Sequence, residues 1–207
     1  MTNTLIPHDS TLKKPVVAIK ESEKDQIKKA IDTWGNQAKE QHSHKSVNFI
    51  VERDKLLVEW LFNTGMRISD ALSIKFRDID MKHEGVRFVV KKRSRTKPFI
   101  HSISLDKSIL FEVQRFKDSF LLKDDELLFD LTRSTVDINL KKYCKIAGLP
   151  KYSAHKYRHG CAMKDLEDGL PDFITAFRLA HSSTAITNST YRRMTPEIER
   201  KFREKQI

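Results

Sequence analysis

Apolar residues along the chain follow two kinds of spacing, and each predicts a type of element. In ESEKDQIKKAIDTW, Ile27, Ala30, Ile31 and Trp34 recur three and four apart behind the polar Glu21-Ser22-Glu23 turn, which predicts a first helix over residues 20 to about 41. The polar stretch QHSHKSVN (41–48) reads as a linker. Ile50, Val51, Leu57, Val58, Leu61 and Phe62 then predict a second amphipathic helix that stops at Asn63-Thr64-Gly65, with Gly65 as its C-cap. Ile68, Leu72 and Phe76 are four apart in ISDALSIKF and predict a short third helix with Arg67 at its N-terminal edge.

Alternation with period two is strong in one place. VRFVV (86–90) and the alternate positions Phe99, His101, Ile103 and Leu105 predict a hairpin around the cationic loop KKRSRTKP. Helical spacing returns with Ile109, Val113, Phe116 and Phe120, and again with Val136, Leu140, Tyr143 and Ala147 ahead of Gly148 and Pro150. A helix over about 154–167, stopped by Gly169, precedes another with Pro171 in its first turn and Phe173, Ile174 and Phe177 inside. Thr195 as N-cap and Pro196 behind it predict a final charged helix. The sum is an α+β chain, mostly α-helical, with one small antiparallel sheet.

Composition narrows the partners. Of 207 residues, 39% are apolar, enough for the core of one domain, while 39 Lys plus Arg against 28 Asp plus Glu leave +11. That balance suits a nucleic acid and equally a solvated basic surface. The loop is sharper evidence, because Lys91, Lys92, Arg93, Arg95 and Lys97 repel one another at close range and a phosphate backbone relieves the repulsion. Cys144 and Cys161 lack CxxC spacing and read as small apolar core residues. No apolar run reaches the roughly 18 residues of a membrane span and no signal pattern opens the chain. A cytoplasmic protein with reduced thiols, away from membranes, is expected.

The chemistry-bearing residues are Arg67, His155 and Arg158 one helical turn apart, His181, and Tyr191. Two guanidiniums can neutralise a pentacoordinate phosphate while imidazoles move protons and a phenol attacks, so the set suits phosphoryl transfer without a metal. Taken singly, an arginine after a glycine caps a helix, and Tyr143, Tyr152 and Tyr157 are ordinary packing tyrosines. His155 and His159, with His181, also have a spacing compatible with zinc, but Lys156 and Arg158 between them oppose a dication. His159 reads instead as a residue packed behind the site.

TGMRISDALSIKFRDID, a basic hairpin, SAHKYRHGCAM, RLAHSS and the tyrosine of STYRRM together resemble the catalytic domain of tyrosine recombinases, the integrase family. The resemblance implies that Arg67 and Arg158 bind the scissile phosphate, that His155 and His181 serve proton transfer, and that Tyr191 is the nucleophile. It implies a 3′-phosphotyrosine intermediate and a free 5′-hydroxyl, without ATP, metal or other cofactor. A hairpin lysine protonates the leaving oxygen; counting from Arg67 and Gly85 selects Lys92, with Lys91 next, whereas counting back from the second strand reaches Arg95, beside Lys97. Lys91, Arg93, Arg95, Lys97, Arg192 and Arg193 are expected on the DNA, Asp70 behind Arg67, and His159 behind the catalytic set.

Some positions depart from the family pattern. The hairpin loop is longer than the usual turn, Asp70 stands where many members have Glu, Ala180 where Gly is usual, and the step from His181 to Tyr191 is one residue longer than common. Only 66 residues precede Arg67, too few for the usual helical clamp domain of about a hundred, so the chain resembles either the short fimbrial-switch type or an excised catalytic fragment. The expected layout is a flexible arm at 1–19, the catalytic domain at 20–194 and a terminal helix at 195–207 that packs on a neighbouring protomer. Expected partners are double-stranded DNA and further copies of the chain, a tetramer on DNA and a monomer without it. The alternatives are an idle DNA-binding protein of the same fold, or an enzyme like a telomere resolvase or type IB topoisomerase.

Overall fold

The computed structural model describes residues 17–91 and 99–181. Its helices are α1 (Glu21–Ala38), α2 (His44–Thr64), α3 (Ile68–Ala71), α4 (Lys107–Phe120), α5 (Arg133–Ile146), α6 (Ala154–Glu167) and α7 (Asp172–Arg178). Strands β1 (Ile79–Asp80), β2 (Gly85–Val89) and β3 (Ile100–Ser104) form one antiparallel sheet in that order. The architecture is therefore α+β and mostly helical, as the spacing predicts. The arm at 1–16, the loop at 92–98 and the terminal helix expected at 195–207 lie outside the described residues.

Helix α2 is the axis of the core. Trp60, Leu61 and Phe62 on it are buried almost completely, and it packs against α1, α4 and α6. Trp60 meets Phe129 edge to face at 6.0 Å, a favoured geometry for two quadrupoles. Asp54, buried on the same helix, accepts from Tyr143 Oη at 2.6 Å and Asn139 Nδ2 at 3.0 Å and pairs with Arg53, tying α2 to α5. Burial and the adjacent carboxylate push the Tyr143 phenol well above its ordinary range.

Three local expectations change. Helix α2 begins at His44, so most of the stretch read as a linker is helix: Ser43 occupies the N-cap, and Val47, one turn before Val51, is buried on the same face. Helix α3 lasts a single turn because Ser73 Oγ donates to the Asp70 carbonyl and the chain then pairs with residues 126–128, through Phe76 N to Glu126 O and Leu128 N to Ile74 O. Pro171 sits at the N-cap of α7, not inside its first turn. The two-residue β1 carried no alternation to announce it.

The hairpin has the predicted faces. Val86 pairs with Ile103 and Phe88 with His101, all four buried, while Arg87 and Val89 point outward. Val90 N donates to Phe99 O at 2.9 Å and closes the pairing at the loop end. His101 Nε2 lies 2.8 Å from the Phe177 carbonyl, and its ring packs on Phe177 at 4.6 Å, so the sheet is fastened to the last turn of α7.

Two glycines permit close approach. Gly160 in α6 lets the extended segment at Ile19 cross the helix, where a methyl group would press on the Ile19 carbonyl and Phe62. Gly65 ends α2 at φ +59, and a Cβ there would collide with Leu179 and Cys161. Left-handed backbone costs an ordinary residue about 1–2 kcal/mol, and overpacking adds about 1–3. Gly65→Ala is thus expected to lower the free energy of unfolding by about 2–5 kcal/mol, read from urea denaturation.

Candidate active site

The α2–α3 corner and the first turns of α5 and α6 meet at one cleft of about 310 Å³, lined by Met66, Arg67, Ser69, Arg133, His155 and Arg158 among others. Arg67 stands at the N-cap position of α3 in extended conformation, immediately after the helix break that Gly65 creates. Its Nη1 is enclosed, lies 3.9 Å from Asp70 Oδ2 and makes no hydrogen bond among the described residues. Asp70 is buried, and its other oxygen accepts from Lys91 N at 3.2 Å, so one carboxylate links the first arginine to the strand end that leads into the cationic loop.

Arg158 is buried one helical turn after His155 and is oriented by backbone. It donates to Gly65 O at 2.6 Å and to Leu179 O at 2.5 Å, joining the ends of α2 and α7. A guanidinium fixed in this way is pre-positioned for a bidentate oxyanion in a manner no ammonium could match. His155 is exposed at the cleft mouth, with its ring 4.4 Å from His159.

His181 follows the end of α7. Leu179 is the C-cap, Ala180 takes the left-handed position at φ +47, and His181 N bonds back to Ala176 O at 2.9 Å while Ala180 N bonds to Phe177 O at 2.8 Å. This is a Schellman ending, and it explains why the family pattern has Gly before the histidine. Burial, then Arg158, Arg67 and His159, depress the His181 imidazole to about 4, so it is neutral near pH 7 and able to accept a proton. Burial, His155, Lys156 and Arg158 likewise lower His159 to about 4.

The structure thus brings Arg67, His155, Arg158 and His181 to one place with Asp70 and His159 behind them. Lys91 is exposed at the end of the β2 side. Lys92, Arg93, Arg95, Lys97, Tyr191, Arg192 and Arg193 lie outside the described residues. Sequence reasoning missed Arg133 and Asp137, which line the cleft from the first turns of α5. Thr132, whose hydroxyl accepts from Thr135 N at 3.1 Å, announces the start of that helix, but only the tertiary fold shows that this start faces Arg67. Tyr157 and both cysteines are buried, in line with their reading as core.

The model of the phage integrase family matches residues 23–197. The chain belongs to this family. It is 29% identical over 161 residues to tyrosine recombinase XerA of Pyrococcus horikoshii, covering 74% of this chain and 54% of that protein. It is likewise 29% identical over 143 residues to XerC of Mycobacterium tuberculosis, covering 65% and 48%. The chain spans about half the length of these relatives. Among solved structures, XerA recombinase superposes with a TM-score of 0.71 at 19% identity over 94% of this chain and 66% of that one. XerH site-specific recombinase bound to difH substrate gives 0.61 at 21% over 84% and 50%. At such identities the superpositions establish the fold.

Two outcomes follow from the end of α7 and its histidines. Relief of left-handed strain in Ala180→Gly, about 1–2 kcal/mol, is offset by a lost buried methyl of about 0.8 and by glycine's added chain entropy of about 0.5–1. The variant's urea stability is expected within about 1 kcal/mol of the parent. His159 and His181 titrate lower in the fold than their ordinary 6.5, so the unfolded chain takes up their protons first as pH falls. Their contribution to stability is complete above about 6.5 and declines as pH drops toward about 4. Urea midpoints across this range are expected to fall more steeply for the parent than for His159→Gln/His181→Gln.

Proposed function

We propose that the protein is a site-specific DNA recombinase that cuts and rejoins double-stranded DNA through a 3′-phosphotyrosine. The observation carrying this reading is the convergence of Arg67, Arg158 and His155 on one cleft, with His181 near enough to feel the charge of both arginines. Family membership, the basic charge of +11 and relatives named as tyrosine recombinases support it.

In this reading a DNA phosphate lies in the cleft between the guanidiniums of Arg67 and Arg158, which neutralise charge on its non-bridging oxygens as the pentacoordinate state forms. The Tyr191 hydroxyl attacks phosphorus, forming the P–O(Tyr) bond while the bond to the 5′-oxygen breaks. The phenolic proton passes to a neutral imidazole, with His181 or His155 as acceptor, and Lys92 supplies a proton to the departing 5′-oxygen. A 5′-hydroxyl of a partner strand reverses these steps and releases the tyrosine. One ester replaces another, so ATP has no part in the balance.

The surrounding assignments belong to the same proposal. Lys91, Arg93, Arg95, Lys97, Arg192 and Arg193 contact DNA phosphates, joined by Arg133 from the cleft wall. Residues 20–194 form the catalytic domain behind an arm at 1–19. Residues 195–207 pack on a neighbouring protomer in a DNA-assembled tetramer, and the protein works in the cytoplasm. Among the described residues no helix is long and apolar enough to cross a membrane.

The test is a detergent-stopped gel assay for covalent adducts, on nicked duplexes taken from the DNA flanking the gene. The parent protein is expected to form an adduct that Tyr191→Phe does not, and Arg67→Ala is expected to slow its formation by about a hundredfold or more. Tight DNA binding with no adduct from the parent would favour an idle binding protein of the same fold.

A further inference from the structure

The carbonyl end of α2 is held by a second guanidinium besides Arg158. Arg178, the last residue of α7, donates through Nη2 to Asn63 O, two residues before Gly65, and through Nη1 to Asp165 Oδ1 at 2.5 Å. Asp165 lies on α6 two turns beyond Arg158, on the same buried stripe, and its side chain is only 4% exposed. Cys161, between them on that stripe, directs Sγ at Asn63 O from 3.7 Å. Within a few residues, Arg158 and Arg178 thus fix both sides of the site: the peptide run Asn63–Met66 that delivers Arg67, and the turn Leu179–Ala180 that delivers His181.

We infer that Arg178, braced by Asp165, is a positioning residue for the cleft: it sets the distance between the Arg67 corner and the His181 turn without itself touching the phosphate. As a part in a reaction, this rests on the phosphoryl-transfer reading above; as geometry, it does not. A salt bridge is a poor device for stability alone here. Cys161, Ala162, Leu166 and Leu179 form an apolar cluster next to it, where two leucines would pack without desolvating any charge. Burial alone would hold the Asp165 carboxyl above its ordinary range, and Arg178 opposes that rise. What leucines could not replace is the donor to Asn63 O, which fixes one helix end against another.

The decisive variant is Asp165→Leu/Arg178→Leu, which removes both charges together and leaves none buried alone. Its urea midpoint is expected close to that of the parent, because ending the desolvation of two charges offsets the donor lost at Asn63 O. The His181 imidazole, followed by NMR, is expected to titrate about one pH unit above the parent value of about 4, as the α7 end relaxes away from Arg67 and Arg158 and gains solvent. Adduct formation is expected to slow by about 10- to 100-fold with the Kd for duplex DNA unchanged, the signature of lost alignment and not of lost binding. Arg178→Lys retains a charge beside Asp165 but lacks the second arm, so it should move His181 in the same direction by less. It provides the same readout should the leucine pair unfold the chain. An unshifted His181 and an unchanged cleavage rate in a folded variant would overturn the inference. A shifted His181 in a protein whose parent forms no adduct would uphold the positioning role and overturn the recombinase reading instead.

Discussion

A helix that ends inside a protein must find partners for its last carbonyls, and the C-terminus of α2 solves this with cations from elsewhere in the chain. Gly65 turns the backbone left-handed, which aims the carbonyls of Asn63 and Gly65 at α6 and α7 and leaves no room for a side chain. Arg178 and Arg158 then occupy those carbonyls. Arg67 follows two residues later, so the requirement to satisfy a buried helix end also dictates where this cleft-lining arginine emerges. Folding and site assembly are the same event at this corner.

The electrostatic arrangement follows from it. Three guanidiniums gather around the end of α2, and each is held differently: Arg67 stands near Asp70, Arg178 pairs with Asp165, and Arg158 donates to the carbonyls of Gly65 and Leu179. Carbonyl dipoles orient a guanidinium while leaving its full charge uncompensated, whereas a carboxylate would cancel it. The two carbonyls thus orient Arg158, a residue of the cleft wall, without taking up its charge. Burial, aided by the neighbouring positive charges, holds the His181 and His159 imidazoles low, so both are neutral near pH 7.

Much of this was legible in the chain because it is written locally. Helix faces with Ile27, Ala30 and Ile31 or with Val136, Leu140 and Tyr143 have a period that only one element satisfies, and the hairpin's buried positions declare themselves by alternation. Gly65 and Gly148 mark helix ends by the conformation they alone adopt cheaply. The start of α2 was obscured because His44, Lys45 and Ser46 are polar all round, and the helix is held there by Val47 alone. The site divided in the same manner: residues matching a family pattern could be named from order and spacing. Arg133, Asp165 and Arg178 could not, because their significance depends on which helix end comes to lie beside which, and Asp165 and Arg178 read along the chain as members of ordinary charged helices.

The hairpin is pinned at its base by the Gly85–Ser104 pair, at its loop end by the Val90–Phe99 bond, and sideways by His101 on the Phe177 carbonyl. Strand register is thus settled before the chain enters the segment between Lys91 and Phe99. Insertions and deletions in that segment leave the facing pairs where they are, which uncouples the length of the cationic loop from the alignment of the sheet. Selection can lengthen, shorten or recharge this segment while the arginine corner stays untouched.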